Sequence, residues 1–484
     1  MKKITIEPVT RVEGHGKVTI HLNDQGLVEQ ARLHIVEFRG FEKFVQGRPY
    51  WEVPVLVQRL CGICPVSHHL AGAKAVDDII GTGPDGSNAI PKPAQKMRRL
   101  MHYGQIFQSH ALHFYHLASP DLIFGLDGDP AQRNVIGVAL ANPELGKQAV
   151  MMRKFGQEII KATAGKKVHG ISAVPGGIHK NLSIEERDYF FDGKEIPNID
   201  QMIEWALSGL EFYKGYHKKN SAFADSFAKF DSNHLGTVNK DGGLELYHGA
   251  LRAVDANGKR ILNDINYHDY LDYFAEGVEN WSYMKFPFLK EYGREKGWNR
   301  VGPLARLNIA DYIPSPLAQK EFEEFKAYTN GKVNNMTFHY HWARLIEILH
   351  TAEIMKDLLN DSDLQSDKLV SSGKWTGEGV GVIEAPRGTL LHHYRADQSG
   401  KITFCNLIVS TTHNNEAMNR AVTSAAKLLM NNQKEITESM MNGVEVAIRA
   451  YDPCLSCATH ALGQMPLKVS LFDDEDVLVD ERFR

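Results

Sequence analysis

The sequence places one C-x-x-C pair near its start, Cys61 and Cys64 in "RLCGICPVSHH", and a second near its end, Cys454 and Cys457 in "DPCLSCATH". Two cysteines three residues apart lie together on a helical turn or tight loop, so both sulfurs of a pair can reach one metal. Two pairs make a four-sulfur site. Structural zinc modules of that composition usually draw their pairs from within a few tens of residues. Here almost the whole chain separates them, so a shared site obliges the fold to bring its two ends into one interior. Such a site is costly as a local clip and suits a buried redox centre, although structural zinc and an iron–sulfur cluster satisfy the same ligand count. Spacing leaves all three readings open.

The five cysteines of this 484-residue chain do not resemble a secreted disulfide framework; in a reducing compartment such pairs bind metal or do redox work. The fifth, Cys405 in "ITFCNLIV", reads as a small buried hydrophobe. A formal charge of -4 with acidic and basic residues well mixed leaves no basic stripe for nucleic acid or an anionic membrane surface. The first residues alternate instead of forming a signal peptide's apolar run, and no stretch approaches eighteen apolar residues. The expectation is a cytoplasmic chain with no nucleic-acid partner and no direct membrane insertion. Its 43% hydrophobic content can fill a sizeable core.

"KITIEP", "GKVTIHL" and "ARLHIVEF" alternate around the turn "NDQG" and predict a small antiparallel sheet over residues 1–40. From there helical spacing dominates: 65–81, 93–119, 199–230, 338–361 and 415–440 carry apolar residues at three- and four-residue intervals. The fold class expected is mainly α with small β elements, a bundle of long helices. Two irregular stretches interrupt it as β insertions near 235–310 and 370–412, the second with a hairpin turn at "DQSG".

The residues around the cysteines narrow the chemistry. R-x-C-G-x-C-x-x-x-H and D-P-C-x-x-C-x-x-H are both complete here, and together they resemble the signatures of [NiFe]-hydrogenase large subunits. "TRVEGHGKV", "FRGFEKFVQGR", "SHALHFYHL", "EAPRGTLLHHY" and "VSTTHNN" follow in the family's order, so the resemblance spans essentially the full length. "GICPVSHHLAGAKAVDD" and "DPCLSCATHALGQMPL" are most similar to the cytoplasmic, bidirectional NAD-linked members. The resemblance implies that family's long-helix fold, shared with a respiratory NADH:quinone oxidoreductase subunit, and reversible heterolytic cleavage of hydrogen.

Carried over by motif position, Cys61 and Cys454 are terminal nickel ligands, and Cys64 and Cys457 bridge nickel to an iron bearing one carbon monoxide and two cyanides. Thiolates suit this work because they are soft, electron-rich donors that stabilise several nickel oxidation states. Arg387 in "EAPRG" matches the arginine whose guanidinium hangs over the open metal position, and Pro386 beside it is expected to line the cofactor. Outside the motif, an arginine after a proline in a hairpin is an ordinary surface or salt-bridge residue. Glu13 in "TRVEGH" matches the glutamate that receives a proton from a bridging cysteine; otherwise an exposed strand carboxylate is the default. Asp452 is expected to pair with arginine beside the metals, with a helix N-cap as its competitor. Thr411 matches a hydroxyl that hydrogen-bonds a cyanide, with strand packing as its competitor. His68 matches the histidine that hydrogen-bonds the Cys64 sulfur.

A second metal, magnesium or ferrous iron, is implied by Glu42 in "RGFE" and by His460, which with a carbonyl and waters suit a hard or borderline ion. His460 is expected to end the mature protein. A dedicated endopeptidase would cut between His460 and Ala461 and remove residues 461–484 once nickel-insertion factors have acted, leaving 41–460 as the helical catalytic body. Nothing in the chain resembles a G-x-G-x-x-G nucleotide site or a further cluster motif, so electrons must leave to an iron–sulfur small subunit. Iron–sulfur clusters, FMN and NAD are therefore expected only in partner subunits, among them a diaphorase module. Ser109 stands where many relatives carry an acid near the active-site arginine, and Ser410 and His413 stand where many carry proline and tryptophan. The competing readings are a non-catalytic zinc-stabilised scaffold and a cofactor-less quinone-reductase-type subunit, whose members lack the four cysteines.

Overall fold

Alternation in the first residues produces an antiparallel meander, β1 (Lys2–Ile6), β2 (Gly16–Leu22) and β3 (Val28–Ile35). It is seen in a computed structural model of the chain that describes residues 2–84, 88–433, 435–459, 468–473, 475 and 477–483. Val18, Ile20, Leu33 and Ile35 point to one face of this sheet and are buried, as a two-residue period requires.

Long helices supply the body. α1 (Pro65–Ile79) starts directly after Cys64 with proline at its first position, where the missing N–H costs nothing. α2 (Lys92–Leu112) continues through a π-helical segment, His113–Ala118, into a further helix, Ser119–Phe124. α2 crosses α3 (Pro143–Ala164) at two glycines. A Cβ on Gly156 would lie 2.6 Å from the Gly104 carbonyl oxygen, and one on Gly104 would lie 2.6 Å from Ile159 Cγ2, so the two backbones touch. Gly156→Leu is therefore expected to destabilise the protein by about 1–3 kcal/mol, or more if the backbones cannot part; calorimetric unfolding of the purified variant checks this.

α4 (Ile199–Ser226) is shorter than its sequence pattern predicts and leaves helical geometry at Asn220, whose amide donates to the Tyr216 carbonyl instead. α5 (Pro303–Ile309) and α6 (Tyr340–Leu359) lie in the interior. The single helix expected over 415–440 is in fact two, α7 (Asn415–Met430) and α8 (Glu438–Arg449). Asn431 turns extended, Asn432 takes a left-handed φ of 61°, and the Thr437 hydroxyl caps α8 by accepting the Met440 N–H. α7 packs on β3, where Asn419 Oδ1 accepts the Leu33 N–H at 2.8 Å.

The stretch near 235–310, expected as a β insertion, holds a four-stranded sheet. Its strands are β4 (Asn233–Val238), β5 (Ala250–Val254), β6 (Arg260–Ile265) and the short β7 (Asn299–Arg300), which runs parallel to β4 at the edge. A second meander follows: β8 (Glu378–Ala385), β9 (Gly388–Ala396) and β10 (Ile402–Ile408). Leu235, Leu251, Val380, Leu391 and Ile408 form one core between these sheets, while the main core runs from the N-terminal sheet through the helices to the second cysteine pair. β11 (Lys468–Phe472) and β12 (Leu478–Phe483) pair as a hairpin beyond that point. Among the described residues no helix is long and apolar enough to cross a membrane.

Candidate metal centre

The loop after β1 is tied to α8 by buried charge. Glu445 accepts the Thr10 N–H at 2.6 Å, and Arg449 donates to the Thr10 carbonyl at 3.1 Å and to Glu445 at 2.7 Å. Asp121 receives Arg11 at 2.5 Å and Arg449 at 2.9 Å, so one carboxylate joins the start of the chain to its last long helix. The Glu13 carbonyl then accepts the Leu455 N–H at 3.0 Å, and Glu13 pairs with Cys454 as a short parallel bridge. Gly14, at φ +83°, allows this approach: a Cβ there would lie 2.8 Å from the Ser456 nitrogen.

These contacts bring all four sulfurs together. Cys61 Sγ lies 3.2 Å from Cys454 Sγ, Cys64 Sγ 3.5 Å from Cys457 Sγ, and Cys454 Sγ 2.7 Å from Cys457 Sγ. The four lie within 4.8 Å of one another, all buried and none in a disulfide. The Cys61 sulfur accepts the Ile63 N–H at 3.1 Å. Hydrogen bonding from the Cys454 thiol holds Cys61 well below the usual thiol range, whereas burial pushes Cys454 and Cys457 well above it. All four could be thiolates at this range and burial only with a cation among them.

Arg387 stands on the turn between β8 and β9. Its Nη2 donates to Asp452 Oδ1 at 3.0 Å and its Nη1 to Ser109 Oγ at 3.3 Å. Burial works against its charge, but Asp452 and the neighbouring sulfurs outweigh that and hold it firmly protonated. Asp452, at a left-handed φ of 54°, follows α8 and caps no helix. Arg387 Nε and Asp452 Oδ2 are buried without a hydrogen-bond partner. A cavity over the sulfurs is lined by Pro386, Arg387, Thr411, His68, Cys64, Cys454 and others.

Thr411 sits on a helical turn, Ser410–His413, and not on a strand; its hydroxyl accepts the Cys454 N–H at 3.0 Å and keeps its own proton to donate. His68 lines the cavity through α1, and its Nδ1 meets His392 Nε2 at 3.1 Å. The Glu13 carboxylate is half-buried and accepts the Ser456 N–H at 3.1 Å, beside the second pair. Glu42 is set apart from the sulfur cavity: its Oε1 accepts the Leu407 N–H at 2.9 Å, and burial raises it above the usual carboxylate range. His460 and Ala461 lie outside the described residues.

Sequence reading missed a second ring of buried charge. Arg306, Glu347, Glu384 and His110 form one hydrogen-bonded cluster next to the Arg387 turn, and Arg344 lies beside Asp452. The signal was present in α6, where Arg344 and Glu347 stand three apart inside "HWARLIEILH", a segment otherwise too apolar to be a solvated face.

Comparison with known proteins decides what the cavity belongs to. The model of the nickel-dependent hydrogenase family matches residues 39–132 and 244–460, and a HoxL-like model matches residues 3–38. The chain belongs to the nickel-dependent hydrogenase family. This hydrogenase is 58% identical to the NAD-reducing hydrogenase HoxS subunit beta of Cupriavidus necator, with both chains covered in full. It is 43% identical to a chain of the F420-non-reducing hydrogenase of Methanothermobacter thermautotrophicus over 99% of each sequence. A solved NAD+-reducing [NiFe]-hydrogenase in its H2-reduced state superposes with a TM-score of 0.91 at 52% identity, covering 95% of this chain and all of that one. The Ni-Fe-Se hydrogenase of D. vulgaris Hildenborough, at 23% identity and a TM-score of 0.75 over 95% of this chain and all of that one, shares the fold.

The residues of this hydrogenase large subunit fit a nickel–iron centre. Four convergent soft sulfurs supply the metal ligands. The unpartnered Arg387 Nε and the Thr411 hydroxyl proton offer donors to acceptor ligands on a metal, as cyanide nitrogens are.

Proposed function

We propose that the chain is the hydrogen-activating subunit of an NAD-linked [NiFe]-hydrogenase that cleaves H2 reversibly and heterolytically. The convergence of four buried sulfurs from both chain ends under the Arg387–Asp452 pair carries this reading. When bound, nickel and an iron bearing one carbon monoxide and two cyanides supply the Lewis acid that polarises hydrogen and takes up its electron pair. Cys61 and Cys454 would serve nickel and Cys64 and Cys457 would serve both metals, as soft thiolate ligands, with His68 in the cavity wall set to orient the Cys64 side. Arg387 fixes a positive charge over the cavity mouth, Asp452 and Ser109 hold its guanidinium there, and Pro386 and Thr411 wall the cavity.

Glu13 takes the released proton. Beside it, Ser456, whose backbone N–H Glu13 accepts, donates its hydroxyl to Glu37 Oε2 at 3.1 Å, and Glu37 Oε1 meets the exposed His15 at 2.5 Å. Electrons leave to an iron–sulfur small subunit, then to diaphorase subunits carrying flavin, in a cytoplasmic complex; the 58% identity to a NAD-reducing hydrogenase subunit supports this. Glu42 and His460 hold the second divalent ion. The Thr459 carbonyl accepts the Arg39 N–H at 2.9 Å, so the residue before His460 lies beside the segment that carries Glu42. Residues 461–484 form a maturation segment, a reading supported by a family match that stops at residue 460.

Metal analysis of the purified protein tests the centre. We expect nickel together with iron, and infrared bands of bound carbon monoxide and cyanide; zinc alone would reject the reading. The intact mass of active enzyme tests the tail, because full activity in a chain that retains residues 461–484 removes that part of the proposal.

A further inference from the structure

We propose that Arg306 is a positioning residue for the hydrogen-activating reaction, holding the turn that aims Arg387 at the metal cavity. Arg306 lies in α5, fully buried, and all five of its N–H donors are used. Nε and Nη2 bind the two oxygens of Glu347 at 2.6 Å each, and Nη1 binds Glu384 Oε2 at 2.9 Å. The two remaining bonds go to backbone carbonyls, Nη1 to Ala385 at 2.8 Å and Nη2 to Pro386 at 3.3 Å. Ala385 and Pro386 line the cavity and immediately precede Arg387.

The carboxylates are themselves fixed. His110 Nε2 meets Glu347 Oε2 at 2.8 Å, and the Thr389 hydroxyl donates to Glu384 Oε1 at 2.7 Å, closing the network across the far side of the same turn. Burial would raise Glu347, yet Arg306 and His110 take it down to about 2, so this pair stays ionic. The start of α5 presses on the turn as well: a Cβ on Gly302 would lie 2.8 Å from the Arg387 carbonyl oxygen, and one on Gly388 would lie 2.6 Å from the Gly302 nitrogen. One side of the Arg387 turn is thus seated against the α5 backbone, and its two preceding carbonyls are gripped by the α5 guanidinium. A fork that binds a carboxylate on one edge and two consecutive carbonyls on the other is a geometry an ammonium cannot copy. A shift of about 1 Å in a positioned group can cost about a hundredfold in rate.

The inference rests on the role proposed for Arg387, and the test separates the two. Arg306→Lys is compared with Arg387→Lys and with a control, Arg98→Lys. Arg98 is as deeply buried and pairs with Asp77 and the carbonyls of Val174 and Gly177, none of which lines the cavity. We expect Arg306→Lys to lower hydrogen turnover per nickel about tenfold to a hundredfold, mainly in kcat, and to shift the cyanide infrared bands. In the unmetallated protein it is expected to speed amide exchange across residues 384–391 several-fold. Arg98→Lys should leave turnover per nickel, bands and that segment unchanged. Unshifted bands and unchanged exchange in Arg306→Lys, with Arg387→Lys inactive, overturn the positioning role alone; a fully active Arg387→Lys overturns the reading beneath it. If Arg306→Lys does not accumulate, Glu384→Gln keeps an oxygen for Nη1 and removes its charge, and unshifted cyanide bands there overturn the proposal equally.

Discussion

Replacing Arg387 by lysine is expected to leave nickel and iron in place and to remove most hydrogen turnover, by about a hundredfold or more. Lysine keeps the positive charge beside Asp452, so the buried carboxylate is not stranded. Alanine would strand it, at a cost of about 3–5 kcal/mol that confounds catalysis with folding. What lysine loses is the planar fork. In the wild type Nη2 is committed to Asp452 and Nη1 to Ser109, while Nε faces no partner. An ammonium drawn to Asp452 has no second arm to hold over the cavity. Dye-linked hydrogen oxidation normalised to nickel content measures the loss, and near-normal activity at full metal content would refute the role given to Arg387.

Glu13→Gln has the second large effect, and on a different quantity. Glutamine keeps the length of the side chain and an oxygen for the Ser456 N–H, now accepted by Glu13 at 3.1 Å, so the junction between the first loop and the last motif should survive. It cannot take up a proton at the pH of the assay. Exchange of deuterium gas with solvent is therefore expected to slow by about a hundredfold or more. The nickel signals should stay nearly intact, because Glu13 is not among the residues that wall the cavity. An unchanged exchange rate would remove Glu13 from the proton path and point to another base near the sulfurs.

How much of this was legible beforehand depends on the kind of interaction. The cysteine pairs announced themselves, since ligand type and spacing are local properties and only their partnership is long-range. Helix existence was legible from periodicity. Helix ends were less so: the run from 415 to 440 keeps its apolar spacing across the break, and only the pair of asparagines with Thr437 as a cap betrays it. A β insertion was expected near 235–310, but its strand limits were hidden, because "NHLGTV" and "ALRAV" are buried almost throughout and "RILNDI" hardly at all, so none alternates cleanly. The buried ring around Arg306 was legible only on its α6 side, in "HWARLIEILH", and its closure on Arg306 was not. Arg306 meets Glu347 and Glu384, forty-one and seventy-eight residues away, and no local pattern tells a solvated arginine from one with every donor spent inside the core.

The juxtaposition of Glu13 and Gly14 with Cys454 and Ser456 also sets a timetable for biosynthesis. The two halves of the sulfur cluster are 393 residues apart. A ribosome adding ~5–20 residues per second needs about 20–80 s to cover that distance. Throughout that interval Cys61 and Cys64 have been made and Cys454 and Cys457 have not. The nascent chain can pair its first strands and pack its early helices, but the seam beside Glu13 has to wait for the last helix to arrive. Metal delivered before then meets two thiols, and metal delivered afterwards meets four.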